Sequence, residues 1–527
     1  MRLFLRGLFV IGFWLGLPQP NFAQSTNAPA TLVELRQQLT DLVNQPRFDA
    51  ARFGIKAVSL ETGQTLFEHE PAKLFSPASN CKLYTMAMVL DKLGGDYRLR
   101  TSLYSAARPD ARGNLKSDLI LYGRGDPTFN LKAGQGDLLR ALQPLVAALT
   151  NAGVRKISGD LIGDDSFIVG APYGSGWVWD DMNYYYGAEI SALTINDNTL
   201  QLSARPGAKL GAPGQLELNP PTTFVTLINQ TRTSAPDSRR VINLYRPVGQ
   251  NVIYVNGQLP LNSTNKYSDD VTFSNPASLF VEFFKAALAR NGVKVTGKTR
   301  TAHWLERPGA PLDTSRLIEL GFVESAPLRE LNVLVQKPSQ NLYTDLLLAH
   351  VGSLERERAL ANQAPNDSAW LVDAAGSSGT SEDYGVRELY KFFSKVGIKR
   401  SDVKFEEGSG LARNNLVTPN ATIQLLQFMS QHPEAESYYQ ALPIAGRDGT
   451  LRNRLKGTRG ENNVHAKTGT LRWANSTSGY LTTAAGEKLV FSLMLNRYTA
   501  PSAQYSARGE LDKAILLLAN FTGRSDE

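Results

Sequence analysis

The fold is decided by three short stretches of sequence, which in chain order are Ser79-Asn80-Cys81-Lys82, Ser339-Gln340-Asn341 and Lys467-Thr468-Gly469. An alcohol is a poor nucleophile at neutral pH, so a catalytic serine needs a base beside it. Residues three apart on a helix lie one turn apart on the same face. We therefore expect the amine of Lys82 next to the hydroxyl of Ser79, in a serine acyl-transfer site that needs no histidine.

Each stretch is a weak signal when taken alone. Another S-x-x-K pattern lies at 401–404, and further S-x-N triplets lie at 25–27 and 263–265. Lys-Thr-Gly occurs once in the chain. The prediction therefore rests on the three stretches occurring together and on the local structure expected around each.

The sequence near the motifs supports these roles. After Ser79, apolar residues recur at helical spacing until Gly94-Gly95, which predicts a buried helix with the serine at its N-terminus. After Lys467, strand-forming runs over 478–483 and 488–495 flank a turn. Lys467 is therefore expected on a rigid strand next to a hairpin.

The set of motifs resembles the penicillin-recognising serine transferases, which include penicillin-binding proteins and class A β-lactamases. Within this group the chain is similar to class C, low-molecular-mass penicillin-binding proteins, the D-alanyl-D-alanine carboxypeptidase/endopeptidase family of the peptidase S13 type. The spacing of 260 positions from Ser79 to Ser339 favours this branch, because it leaves room for a large insertion. The same resemblance extends to further stretches at 75–79, 125–127, 159–166, 177–181, 184–187, 408–413 and 446–450.

The resemblance implies an α/β fold of the α+β kind, in which a serine β-lactamase/transpeptidase-like domain has an antiparallel sheet covered by helices. A hairpin predicted over 53–69 and a helix over 506–520 would complete this sheet layer. A large, mainly β insertion with a nested subdomain would interrupt the domain. The expected divisions are a signal peptide at 1–23, a catalytic domain at 24–103 and 325–527, an inserted domain at 104–123 and 223–324, and a nested domain at 124–222.

The N-terminal segment has the pattern of a secretory signal peptide. Arg2 and Arg6 precede an apolar run over 8–17, and the sequence predicts cleavage near Ala23. No later stretch reaches the roughly 18 apolar residues that a membrane helix needs. We expect an exported, periplasmic protein with at most peripheral membrane contact.

Charge and residue content exclude several classes of protein. Loss of the signal peptide lowers the formal net charge from +7 to +5, and the chain lacks the basic stripes with interleaved aromatics that nucleic-acid binders carry. The single cysteine, Cys81, is expected to pack within its helix. The five histidines lack the H-E-x-x-H spacing of a zinc site. We therefore predict no nucleic-acid partner, no metal and no cofactor.

The resemblance implies catalytic roles for four residues. Ser79 would attack the carbonyl of the penultimate D-alanine and form an acyl-enzyme, while Lys82 accepts its proton. Burial and the charge of Lys467 are both expected to lower the pKa of Lys82. Ser339 would relay a proton between Lys82 and the departing amine, and Asn341 would orient Lys82 and the substrate amide.

Substrate contacts are expected along the strand of the third motif. Lys467 and Thr468 would bind the free C-terminal carboxylate of the peptide through charge-assisted hydrogen bonds. Gly469 would let the substrate backbone approach closely. By resemblance, backbone N–H groups of Ser79 and Thr470 would hold the oxyanion.

The resemblance also implies a pocket for the peptide side chain, formed by Trp177, Asp180, Tyr185, Leu411, Arg413 and Leu471. Asp180 and Arg413 would pair with the ammonium and carboxylate of a zwitterionic diaminopimelate end. The apolar residues would flank its methylene chain.

The expected function is that of a serine D-Ala-D-Ala carboxypeptidase with D,D-endopeptidase activity on peptidoglycan stem peptides and cross-links, covalently inhibited by β-lactams. A β-lactamase or esterase of the same fold is an alternative, as is a non-catalytic wall-binding protein. The segment 357–362 is off by one residue from the deacylating glutamate motif of class A β-lactamases. This difference argues against efficient penicillin hydrolysis.

Overall fold

The computed structural model describes residues 28–307, 312–361 and 379–527. The predicted signal peptide at 1–23 lies outside these ranges, so its cleavage remains a prediction. None of the helices within the described ranges is long and apolar enough to cross a membrane.

The described part contains eleven α-helices, which are α1 (Leu32–Val43), α2 (Cys81–Leu93), α3 (Leu138–Ala141), α4 (Gln143–Asn151), α5 (Pro276–Arg290), α6 (Leu328–Gln336), α7 (Asn341–Ala361), α8 (Ser381–Val396), α9 (Pro419–Ser430), α10 (Ala435–Ala441) and α11 (Ala507–Ala519).

The strands of the same ranges are β1 (Arg52–Ser59), β2 (Thr65–His69), β3 (Arg100–Ser105), β4 (Asn114–Leu115), β5 (Leu119–Tyr122), β6 (Lys156–Ile157), β7 (Leu161–Asp164), β8 (Thr199–Arg205), β9 (Gln215–Asn219), β10 (Thr226–Ser234), β11 (Val241–Tyr245), β12 (Val252–Pro260), β13 (Tyr267–Thr272), β14 (Lys294–Val295), β15 (Thr299–Ala302), β16 (Ile318–Glu324), β17 (Val403–Lys404), β18 (Leu416–Val417), β19 (His465–Leu471), β20 (Ala474–Thr482) and β21 (Lys488–Asn496).

The sheet that carries the third motif has five antiparallel strands in the order β19-β20-β21-β1-β2. Side chains alternate between its two faces, as the strand geometry requires. Leu489, Phe491 and Leu493 pack in one core with α1 and α11. Val490 and Met494 pack in another with α2 and α9. The expected antiparallel sheet covered by helices is confirmed, as are the two predicted hairpins.

The helix predicted after Ser79 is α2, and it runs through the middle of the larger core. Ten of its residues are buried, which fits a helix with neighbours on all sides. It ends at Gly94, where a φ of 79° requires glycine. Ser79 lies in a short 3₁₀ turn over Ala78–Asn80 that leads directly into α2.

The region between the first two motifs forms its own core around α3, α4 and α5. Its larger sheet is mixed, with the order β15-β7-β5-β3-β16, and three smaller sheets accompany it. Most of its elements are strands, which agrees with the mainly β insertion expected from the resemblance.

The predicted nested domain at 124–222 shares its sheets with the surrounding insertion. Its strand β7 pairs with β5 before it and β15 after it, and its strand β8 pairs with β13. The domain divisions therefore stay a prediction. The insertion contacts one of the predicted catalytic residues. The carbonyl of Tyr186 accepts a hydrogen bond from Asn341 at 2.9 Å.

Candidate active site

The Ser79 hydroxyl and the Lys82 amine are adjacent, as the helical spacing predicts. Lys82 Nζ lies 3.0 Å from Ser79 Oγ. It also donates to Asn341 Oδ1 and to the Ser409 carbonyl, both at 2.6 Å. A neutral amine has two N–H donors and one lone pair. With Asn341 and Ser409 taking both donors, the lone pair is left for the Ser79 proton.

Lys82 is fully buried. Burial lowers the pKa of its ammonium to about 8, against the opposing charges of Asp345 and Glu407. A pKa near the working pH is suited to a general base, because the neutral form is then substantially populated. Ser79 itself is half-buried, so its hydroxyl is within reach of a substrate.

The turn that holds Ser79 is tightly packed against β19. A methyl group on Gly469 would lie 2.4 Å from the Pro77 carbonyl oxygen and 3.0 Å from the Ser79 amide nitrogen. Ser476 also donates to the Pro77 carbonyl at 2.6 Å. Ala78 has a φ of 48°, a strained value for a non-glycine residue. The absence of a side chain at Gly469 therefore lets β19 approach the nucleophile turn itself.

Ser339 contacts Lys467 rather than Lys82. Lys467 Nζ donates to Ser339 Oγ at 2.8 Å and to the Thr468 carbonyl at 2.6 Å. Ser339 lies between α6 and α7 with a φ of 66°, which holds its hydroxyl in a strained loop conformation. The relay role of Ser339 between Lys82 and the departing amine stays a prediction, and the hydrogen bond of its hydroxyl in this structure is with Lys467.

The charge of Lys82 affects the pKa of Lys467, whereas the sequence predicted that the charge of Lys467 would lower the pKa of Lys82. Burial, and then the charge of Lys82, lower the pKa of Lys467 well below its usual range. For Lys82 the charged neighbours are carboxylates that favour its protonated form. The repulsion therefore acts mainly on Lys467, and burial alone accounts for the lowered pKa of Lys82.

The other residues in and just after the third motif differ in their exposure to solvent. Thr468 is half-buried, and its hydroxyl donates to Thr450 Oγ1 at 2.7 Å. Thr470 is exposed, and Leu471 is half-buried. Thr450 is a residue that the sequence reasoning left without a role, although it ends one of the stretches typical of the family.

The residues predicted for the side-chain pocket come from three parts of the chain, which are the insertion, the loop that carries Leu411 and Arg413, and the end of β19 at Leu471. Trp177, Asp180 and Tyr185 lie in the insertion, where Tyr185 is 41% exposed. Leu411 is buried and Arg413 exposed. Asp180 and Arg413 make no hydrogen bond to each other within the described ranges.

The charge of Arg413 acts on Asp181, the residue next to Asp180. Burial raises the pKa of Asp181, and the charges of Arg413 and Arg472 oppose this rise. The pocket assignment stays a prediction, with Asp181 and Arg472 as charged residues that the sequence did not single out.

No group of three or more His, Cys, Asp or Glu side chains that could hold a metal ion is found in the part of the chain that the structure describes. Asp164 and Asp165, adjacent in sequence, pair with Arg307 and with His303. Cys81 is buried, and burial raises the pKa of its thiol well above its usual range. This is the opposite of what a reactive thiol needs.

The fold is similar to that of a solved penicillin-binding protein. A crystal structure of penicillin binding protein 4 (dacB) from Haemophilus influenzae matches 92% of this chain and 98% of its own length, with a TM-score of 0.74 and 23% identity. A second structure of that protein, complexed with a novel β-lactam, matches with a TM-score of 0.70 and 22% identity.

Sequence relatives are consistent with the structural match. A D-alanyl-D-alanine carboxypeptidase from Actinomadura sp. (strain R39) is 31% identical over 90% of this chain and 83% of its own length. The D-alanyl-D-alanine carboxypeptidase DacB of Haemophilus influenzae is 25% identical over 91% of both. The family described as D-Ala-D-Ala carboxypeptidase 3 (S13) matches residues 35–369 and 370–515. The chain therefore belongs to the D-Ala-D-Ala carboxypeptidase 3 (S13) family of serine peptidases.

Proposed function

We propose that this chain removes the terminal D-alanine from peptidoglycan stem peptides through an acyl-enzyme on Ser79. Membership of the S13 family makes it a serine-type D-Ala-D-Ala carboxypeptidase. The observation that carries the residue assignment is the 3.0 Å contact between Ser79 Oγ and a fully buried Lys82 amine.

In the acylation step, the neutral Lys82 amine takes the proton of Ser79 as Oγ attacks the carbonyl carbon of the penultimate D-alanine. The carbonyl π electrons move onto oxygen, and the resulting oxyanion lies against the Ser79 and Thr470 backbone N–H groups. β19 packs on the nucleophile turn at Gly469, which supports the placement of these two donors on facing backbones.

Collapse of the tetrahedral intermediate breaks the C–N bond and requires a proton on the leaving amine. Ser339 is suited to deliver it, because its hydroxyl, which accepts a hydrogen bond from Lys467, can give its proton to the amine and regain one from the Lys82 ammonium. The proton taken from Ser79 then ends on the leaving amine, and Lys82 is neutral again. The released D-alanine leaves an ester on Ser79. Water then attacks this ester, with Lys82 acting as base again, and regenerates the free serine.

Lys467 and Thr468 would recognise the free carboxylate of the terminal residue. In the empty site Lys467 is held in a buried position that disfavours its charged form. A bound carboxylate raises the pKa of a neighbouring ammonium, so substrate binding would charge Lys467 at the moment it is needed. A peptide lacking that carboxylate would not supply this effect.

D,D-endopeptidase activity uses the same acyl-enzyme and differs only in the amine that leaves. A larger leaving group requires open space at the rim, and the predicted pocket residues Tyr185 and Arg413 are exposed to solvent. The exposed loops are also consistent with the predicted pocket for a diaminopimelate end. Function at the cell wall requires export, which the predicted signal peptide at 1–23 would provide.

Covalent inhibition by β-lactams follows from the same chemistry, because the strained amide is attacked by the same serine. Two experiments test the proposal. Incubation of the mature protein with purified peptidoglycan fragments, followed by mass spectrometry, should show loss of one D-alanine per stem peptide and cleavage of cross-links. Intact-mass measurement with penicillin should show one adduct per chain, located at Ser79 by peptide mapping. Rapid hydrolysis of a chromogenic cephalosporin without an adduct would favour a β-lactamase instead.

A further inference from the structure

Two buried carboxyl groups lie close to Lys82 and have no role in the steps above. Asp345 is 3% exposed and lies on α7, one helical turn after Asn341. Glu407 is fully buried and precedes the loop that supplies the Ser409 carbonyl. Both groups act electrostatically on Lys82.

Glu407 has the contacts of an ionised carboxylate. It accepts hydrogen bonds from the backbone N–H groups of Ser409 (2.7 Å), Gly410 (2.7 Å) and Ala412 (3.3 Å), from Ser409 Oγ (2.5 Å) and from Asn415 Nδ2 (2.6 Å). In all of these hydrogen bonds the Glu407 carboxyl group is the acceptor. These bonds fix the turn that presents the Ser409 carbonyl to Lys82.

Asp345 is different, because one of its oxygens lacks a donor. Its Oδ1 accepts from the Gly408 backbone N–H at 3.2 Å. Its Oδ2 is buried and receives no hydrogen bond from the residues that the structure describes. Asp345 and Glu407 are neighbours, because Gly408, whose N–H donates to Asp345, directly follows Glu407 in the chain. The charge of Glu407 acts on Asp345. Two ionised carboxylates this close repel each other, whereas a proton between them satisfies the unpartnered oxygen.

We propose that Asp345 is protonated in the resting enzyme and donates a hydrogen bond from Oδ2 to the Glu407 carboxylate, which makes Asp345 a positioning residue for Lys82. This inference rests on the proposed role of Lys82 as the base. Burial first, and Glu407 second, raise the pKa of Asp345 well above its usual range, while Lys82 opposes the rise.

The titratable groups around the pair come from two further helices. Lys82 and Cys81 face it from α2, and Glu382 faces it from α8. With one proton held between Asp345 and Glu407, Lys82 faces one negative charge rather than two. Because each negative charge favours the protonated amine, the shared proton keeps more of Lys82 in the neutral form that can accept the proton of Ser79.

The substitution Asp345→Asn distinguishes a protonated Asp345 from an ionised one. In Asp345→Asn, the amide oxygen still accepts from Gly408 and the amide N–H₂ can donate to Glu407. We expect acylation by fluorescent penicillin within about threefold of the wild-type rate, and an acid limb of the rate–pH profile that moves by less than about 0.3 pH unit. Asp345→Leu cannot donate, and should acylate about tenfold more slowly or worse.

Three results would overturn the proposal. If Asp345 were an ionised partner of Lys82, Asp345→Asn would remove a charge and move the acid limb about one unit towards lower pH. Failure of Asp345→Asn to fold, measured by its thermal transition, would also count against a neutral acid. Wild-type rates in Asp345→Leu would show that the donated bond has no positioning role.

Infrared difference spectroscopy gives a readout that does not depend on activity. The spectrum of wild type minus Asp345→Asn should contain the C=O stretch of a protonated carboxylic acid, and its absence at neutral pH would contradict the proposal. Failure of wild type to form a penicillin adduct at Ser79 would instead defeat the proposed function. The infrared band would still decide the protonation state of Asp345.

Discussion

The core of the site and its rim are built in different ways. In the core, Lys82 and Lys467 are fully buried, and each is held by hydrogen bonds of 2.6–3.0 Å. At the rim, Arg413 and Tyr185 are exposed on loops. Charges removed from water interact more strongly than charges that water screens. The core should therefore dominate the rate of reaction, while the rim should adjust the choice of substrate by smaller amounts.

The largest effect expected from this comparison is the loss of the nucleophile. Ser79→Ala should remove penicillin labelling and lower D-alanine release by a factor on the order of 10⁴ or more, because no acyl-enzyme can form. The measurements are intact mass after penicillin treatment and the rate of D-alanine release.

Ser401→Ala is the matched control for Ser79→Ala. Ser401 begins another S-x-x-K pattern, but it lies exposed in a 3₁₀ turn and donates to Asp402 Oδ1 at 3.1 Å. We expect wild-type labelling and turnover in this variant. Loss of labelling in Ser401→Ala with labelling retained in Ser79→Ala would reverse the assignment.

The pH dependence should be the next largest effect, because it follows from burial of the core amine. The pKa of Lys82 is lowered to about 8, so the neutral base becomes more abundant as the pH rises through that value. Between pH 8 and pH 6 the acylation rate should fall about 50-fold as Lys82 becomes protonated. Stopped-flow acylation by a penicillin gives the profile. A rate that stays flat or rises on acidification would rule out a neutral Lys82 as the base.

The sequence predicted the contact between Ser79 and Lys82 but not the partner of Ser339, for a physical reason. Ser79 and Lys82 are one turn apart in α2, and 467–469 lies on one strand, so local geometry fixes both motifs. The partner of Ser339 depends instead on how β19 packs against the loop between α6 and α7. That packing is a tertiary contact, and no spacing in the sequence specifies it.

The residues that the sequence analysis missed are also explained by tertiary packing. Glu407 precedes a stretch typical of the family, and its role appears only when the turn at 409–412 folds back onto it. Asp345 could have been found, because it lies four residues after Asn341 on the same helical face. Thr450 is brought to Thr468 by a 3₁₀ turn distant in sequence.

Carboxylate recognition tests the second lysine of the core. A peptide with a C-terminal amide should be turned over about 10- to 100-fold more slowly than the free acid by the wild type, because it lacks the charge-assisted contact with Lys467 and Thr468. Lys467→Ala should lower turnover of the acid substrate, and Lys467→Arg should lower it less. Equal wild-type rates on acid and amide would refute this role.

The smallest effects are expected at the rim, where they test whether the pocket reads a zwitterionic side chain. Asp180→Asn and Arg413→Ala should each lower kcat/KM for a peptide with a free diaminopimelate end, by an amount equivalent to about 0.5–1.5 kcal/mol of transition-state free energy. This loss is smaller than that expected for a buried charged hydrogen bond, because Arg413 is exposed to water. Acylation by penicillin and turnover of small acyl-D-Ala-D-Ala analogues should be unchanged. Added salt should reduce the difference for the diaminopimelate peptide.

Asp181→Asn serves as the comparison variant, because Asp181 is buried and faces Arg413 and Arg472. If it lowers kcat/KM for the diaminopimelate peptide more than Asp180→Asn does, the carboxylate that reads the ammonium group is Asp181, and the pocket extends deeper than the sequence predicted. Equal losses on all three substrates in Asp180→Asn and Arg413→Ala would show damage to the core. Such a result would contradict the conclusion that the buried core sets the rate while the exposed rim only adjusts the choice of substrate.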